Sequence, residues 1–226
     1  MKCKLLCCAM LSLCFSGAWG EELFNSYPEY YKSLPDSLFS EVDRQTLINY
    51  SSNSEILSFA WSGKVNGKPR YVEIAGGLIR LDNTRLKLSS VNAFQNESVN
   101  KNDFSTRTQV YFSSAYTCID SDLSSATGTA VRHRAVYLLN TKLNPIFSIK
   151  LPSLFASCLE VHHDKQGNIA FYSAAYRYEK DEDSPRGITF TEYTSDGRGF
   201  NQTGQQKLTT FVEPDNVYRF SVNQNQ

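Results

Sequence analysis

One stretch limits the options of this chain more than any other: "EILSFAWSGKVNGKPRYVEIAG", residues 55–76. Asn66-Gly67 stands between two runs rich in Ile, Phe, Trp, Val and Tyr. Both residues tolerate positive φ, which a two-residue turn matching strand twist demands, so the stretch predicts a β-hairpin. "GLIRLDNTRLKLSS" repeats the idea, with Asp82-Asn83-Thr84 as its turn. Further on come "QVYFSSAYTCI", "RAVYLLN", "PIFSIKLP", "CLEVHHDKQGNIAFYSAAYRY", "GITFTEYTSDGRGF", "KLTTFV" and "NVYRFSV". These runs are short, rich in β-branched and aromatic residues, and punctuated by Gly, Asn, Asp or Pro. The predicted fold is mainly β, with antiparallel pairing.

A second regularity concerns larger units. Ser-x-Ala-aromatic occurs at Ser58/Ala60/Trp61, at Ser113–Tyr116 and at Ser173/Ala175/Tyr176. Each copy is followed by a strand, a turn and a further strand. The expectation is therefore about three repeated units of three or four strands, arranged as a propeller-like body or a β-sandwich. Small Ser and Ala side chains would let neighbouring units approach, with the aromatic ring sealing the seam. "DKQGN", residues 164–168, is expected as a hairpin turn at Lys165–Gly167.

The N-terminal part reads differently. Residues 1–20 have the form of a secretory signal: Lys2 and Lys4, the apolar run "LLCCAMLSLCF", then Ala18-Trp19-Gly20 at a cleavage site near Gly20. That run is shorter than the roughly 20 apolar residues a membrane span needs. Residues 21–50, with Pro28 and Pro35, are expected to form an extended arm. It carries one short helix over about 36–48, where Leu38, Phe39, Val42 and Leu47 approach helical spacing and Asp36 or Ser37 can cap. Residues 51–226 then form a single all-β domain.

Export changes the accounting. Removing residues 1–20 takes away two basic residues and no acids, leaving 21 basic against 23 acidic side chains and a formal charge of −2. That balance excludes a generally basic nucleic-acid binder and gives no strong pull towards membranes. Four of six cysteines leave with the signal, and Cys118 and Cys158 remain. In the oxidising periplasm or outside the cell they are expected to form one disulfide, which would clamp two of the repeated units together. Sequons at Asn49, Asn96 and Asn201 would matter only in a eukaryotic secretory route.

The chemistry-bearing residues are few. His162 and His163 alternate on a strand and so face opposite ways. Glu160 shares a face with His162, and Asp120 or Asp122 would complete a metal site only if the disulfide brought them close. An ordinary strand histidine is the plainer reading, and no metal or other cofactor is expected. G-x-S-x-G, H-E-x-x-H and S-x-x-K with K-T-G are all missing. The thirteen tyrosines point instead to half-exposed strand faces suited to contact. Tyr116, Tyr176 and Tyr178, with Asp181, Glu182 and Asp183 of the acidic loop 179–187, are the candidate partner-binding residues.

The expected function is that of an exported, periplasmic, non-enzymatic binding protein. It would be an immunity, resistance or inhibitor protein that neutralises an antibacterial toxin, enzyme or antibiotic by occlusion, with a protein or small molecule as its partner. The alternatives are an envelope hydrolase acting on cell-wall or polysaccharide material, with His162 or His163 beside Asp120 or Asp122, and a carbohydrate-binding module. A homodimer is left open.

Overall fold

The computed structural model describes residues 22–51, 57–123, 126–181, 183–195 and 199–222; the expected signal segment 1–20 lies outside them. The chain begins with β1 (Glu22–Phe24), helix α1 (Tyr27–Ser33), β2 (Arg44–Thr46) and β3 (Ile48–Asn49). A first meander follows: β4 (Ser58–Val65), β5 (Lys68–Ala75), β6 (Leu78–Leu81) and β7 (Thr84–Lys87). After the short β8 (Asn92–Ala93) a second is built from β9 (Gln109–Phe112), β10 (Tyr116–Asp122), β11 (Arg134–Asn140) and β12 (Phe147–Lys150). The third comprises β13 (His162–His163), β14 (Ile169–Arg177), β15 (Gly187–Ser195), β16 (Phe200–Glu213) and β17 (Asn216–Val222). The fold is mainly β, and its sheets are antiparallel apart from the β8–β12 pair.

Each meander becomes one sheet, in the orders β3-β4-β5-β6-β7, β2-β9-β10-β11-β12-β8 and β1-β17-β16-β15-β14-β13. The residues read as an arm thus hand one short strand to every sheet. The Asn66-Gly67 hairpin forms as expected: its residues take φ of 50° and 76°, and Val65 pairs with Lys68 across the turn. The turn before β14 forms too, with Gly167 at φ 83°.

The helix is not where the apolar spacing placed it. It spans Tyr27–Ser33, whereas residues 36–48 hold a 3₁₀ turn at Glu41–Asp43 and the strands β2 and β3. Ser26 caps α1 by accepting a hydrogen bond from the Glu29 amide at 3.3 Å, and Pro28 sits in the first turn, where its missing N–H costs nothing. Tyr27, Tyr30 and Tyr31 form its buried face, and Pro35 follows the last turn. The apolar residues of 36–48 serve separate ends: Phe39 enters one core, Leu47 another, and Val42 is 88% exposed. No single helical face could have joined them.

The Ser-x-Ala-aromatic motif also departs from expectation. The first and third copies lie in β4 and β14, but Ser113–Tyr116 closes the β9–β10 hairpin. There the Ser113 amide donates to the Tyr116 carbonyl at 2.9 Å, and the Tyr116 amide to Ser113 Oγ at 3.2 Å. The three copies therefore do not occupy one recurrent position. Trp61 does seal a seam, packing its ring 5.2 Å from Phe112 between the first and second sheets.

The second sheet is the centre of the molecule. Alternation along β11 sends Ala135, Tyr137 and Leu139 into a core beneath the first sheet. Val136 and Leu138 enter a core shared with α1 and the third sheet. This explains why "RAVYLLN" is almost continuously apolar: both faces of its strand are covered. Each fully buried Leu or Val there contributes about 1.5–3 kcal/mol over an exposed one. Cys118 on β10 and Cys158, in a 3₁₀ turn just before β13, form the expected disulfide. It ties the central sheet to the segment entering the third. No helix among the described residues is long and apolar enough to cross a membrane.

Candidate functional site

Helix α1, the start of β11 and the loop before β13 enclose a cavity of about 420 Å³. Its apolar wall is made by Tyr27, Tyr31, Phe155 and Tyr218. Tyr27 stacks on Phe155 with ring centroids 3.9 Å apart. The Tyr27 hydroxyl donates to the Val217 carbonyl at 2.9 Å, and that of Tyr31 to the Phe155 carbonyl at 2.8 Å. Phe155 itself has φ 55°, a left-handed conformation in which a bulky residue is strained. Its amide is held by the Arg132 carbonyl at 2.7 Å, so backbone and ring together keep it there.

The rest of the lining is largely charged. Arg44 on β2 stands across from Tyr111 on β9, and Arg132 and Arg134 flank His133 at the entry to β11. Arg134 donates from Nε and Nη2 to Asp120 Oδ1, at 2.8 and 2.7 Å, and from Nη1 to Asp122. Arg107 closes the far side of Asp122 at 2.8 Å. Asp120 Oδ2 accepts from Ser157 Oγ at 3.3 Å and from the Cys158 amide at 3.4 Å. Burial raises the Asp120 carboxyl above its ordinary range, against the opposing pull of Arg134. The Tyr111 hydroxyl is pushed up to about 12, first by burial and then by Asp120.

Behind this wall lies Glu160, fully buried, with Oε1 unpartnered among the described residues. Desolvation pushes its carboxyl well above the usual carboxylate range. His162 is buried and wired: Nδ1 meets the Glu160 carbonyl at 2.8 Å and Nε2 meets Glu192 at 3.0 Å, while Thr203 holds the other Glu192 oxygen at 2.8 Å. His163 faces outward, as strand alternation requires. His162 and Asp120 belong to separate hydrogen-bond networks. Among the described residues no three His, Cys, Asp or Glu side chains are grouped to hold a metal ion.

The residues named from sequence divide. Tyr176 reaches the cavity's edge: its hydroxyl accepts from Arg132 Nη1 at 2.7 Å, and its ring lies 6.0 Å from Phe155. Tyr178 follows, exposed, 6.4 Å from Tyr176, and the chain continues outward to exposed Asp181 and Asp183. Glu182 lies outside the described residues. Tyr116 is elsewhere, in a separate depression with Ser113–Ala115, Asp36–Leu38 and His163. Arg44, Arg132, Arg134 and Phe155 were not singled out by the sequence reading. A signal for the arginine pair existed: "DSD" at 120–122 and "RHR" at 132–134 bracket one hairpin, and alternate positions on paired strands share a face.

Comparison of the chain with protein-family models, curated proteins and solved structures finds no match to any of them. The site has to be interpreted from its own geometry.

Proposed function

We propose that this chain is an exported, non-enzymatic binding protein of the immunity, resistance or inhibitor kind, which neutralises an antibacterial agent by occluding it. The contact site is the cavity beside α1. One observation carries the reading: aromatic rings and three arginines line the same cavity of about 420 Å³, within the size range of small-ligand sites. The frame is pre-organised, because the disulfide, the Tyr27–Phe155 stack and the Asp120–Arg134 pair fix the walls before anything binds. Export to an oxidising compartment agrees with the disulfide.

Deleting the gene should raise the host's sensitivity to at least one antibacterial toxin or antibiotic. The wild-type protein should restore resistance, whereas Arg132→Glu, which inverts charge at the cavity, should not. Unchanged sensitivity across such agents, with no stoichiometric partner recovered from envelope extract, would count against the proposal.

A further inference from the structure

We infer that the cavity takes a small organic carboxylate, with its anionic end at Arg132 and Arg44 and its apolar body against Val131 and Tyr218, beside the closed Tyr27–Phe155 stack. The inference rests on the binding-protein reading and specifies the ligand's chemistry.

The first argument is a charge inventory of the lining. Glu41 is engaged by Lys32 at 2.9 Å. Asp120 and Asp122 are consumed by Arg134, with Arg107 on the outer side. Two arginines are left: among the described residues neither Arg44 nor Arg132 has a carboxylate partner. Ordinary solvation accounts for Arg44, which is exposed. It does not account for Arg132, which is half-buried, spends one donor on the Tyr176 hydroxyl and has a fork of others open. A carboxylate is the group that a planar guanidinium fork fits with two parallel bonds.

The second argument concerns the apolar half. The hydroxyls of Tyr27 and Tyr31 are already given to backbone carbonyls and their rings are buried with that of Phe155, so the apolar surface a ligand can meet lies at the edge of this packed group. Val131 and Tyr218, 51% and 41% exposed, leave apolar surface open at the mouth. A purely inorganic anion would leave all of it unused. The third argument is strain. Phe155 is held left-handed by the same hydrogen bond that grips the Arg132 carbonyl, so the strained residue also sets where Arg132 stands.

Isothermal titration of the disulfide-bonded protein, recovered after export, tests this with four probes: phenylacetate, 2-phenylethanol, benzylamine and inorganic phosphate. Phenylacetate should bind at least about tenfold more tightly than each of the other three, the worth of roughly one charge-assisted contact. Arg132→Gln should cost phenylacetate about tenfold and Arg44→Gln somewhat less, with melting temperatures unchanged. If Arg132→Gln does not fold, the exposed Arg44→Gln carries the comparison. Equal affinity for the three ring compounds, phosphate binding as well as phenylacetate, undiminished affinity in the arginine variants, or no heat from any probe would overturn the inference. Charge discrimination without any change in sensitivity on deletion would leave the site standing and remove the neutralising role; the reverse pattern would do the opposite.

Discussion

The first sheet and the seam around α1 are held together in opposite ways. In the sheet from β4 to β7 every strand pairs with its neighbour in sequence, and two-residue turns at 66–67, 76–77 and 82–83 set the registers. Its buried side is wholly apolar, with Phe59, Val72, Ile74, Ile79 and Leu81. Arg85 and Lys87 sit on its edge strand, where charge discourages pairing with another chain. At the seam almost nothing is local. Tyr31 bonds a carbonyl 124 residues away and Tyr27 one 190 residues away, and carboxyls at 120 and 160 are buried. Stability and shape come from neighbours in the first region. In the second, distant residues and buried charge build a cavity.

That contrast can be broken most forcefully at the bridge. Replacing Cys118 and Cys158 by Ala, or reducing the protein, opens a loop of 40 residues and should cost about 4 kcal/mol by loop-closure entropy. Urea unfolding followed by region-resolved exchange should show the seam loosening before the first sheet. Equal loosening of both would erase the distinction. Next comes Arg134→Ala, which leaves Asp120 buried without its cation. A loss of about 3 kcal/mol is expected in urea midpoints, and a loss below roughly 1 kcal/mol would mean the pair is structurally idle.

Glu160 sharpens the comparison through pH. Its carboxyl keeps its proton to higher pH in the fold than in the unfolded chain, where it ionises at an ordinary value, so above that value the unfolded chain binds fewer protons. The stabilisation is therefore full at acid pH and drains away as pH climbs from the ordinary carboxylate range towards the raised value. Glu160→Gln should flatten that decline, read as urea midpoints at about pH 5 and pH 8. An unchanged slope would show that this carboxyl is not the buried acid responsible. The smallest effect belongs to the first sheet. Gly67→Ala forces a side chain into a left-handed position and should cost about 1 kcal/mol, with no change at the cavity.

The same division explains what could be read from sequence. Asn66-Gly67, the turn at Gly167 and the Cys118–Cys158 pair were legible because each is coded by a few residues, the last as the two cysteines left outside the N-terminal segment. The helix at Tyr27–Ser33 was not, since three tyrosines and a proline carry little intrinsic helical preference. It exists because Phe155, Phe190 and Phe220 cover its rings. Strands of two or three residues, such as β1 and β3, are too short to show alternation. Of the named contact residues, Tyr176 and Tyr178 belong to the cavity's edge or its continuation. Tyr116 was grouped with them as a strand tyrosine with a half-exposed face, but it stands where the β9–β10 hairpin closes, away from the cavity. The arginine wall was written in "DSD" and "RHR", but only the pairing of β10 with β11 reveals that the two segments meet.

Hydrogen–deuterium exchange of the disulfide-bonded protein, with and without saturating phenylacetate, tests most directly whether binding belongs to the seam. The account predicts slowed exchange in segments 27–34, 131–136 and 153–161, with residues 58–87 unaltered. Protection confined to 58–87, or absent from the seam at concentrations that saturate the calorimetric signal, would contradict it.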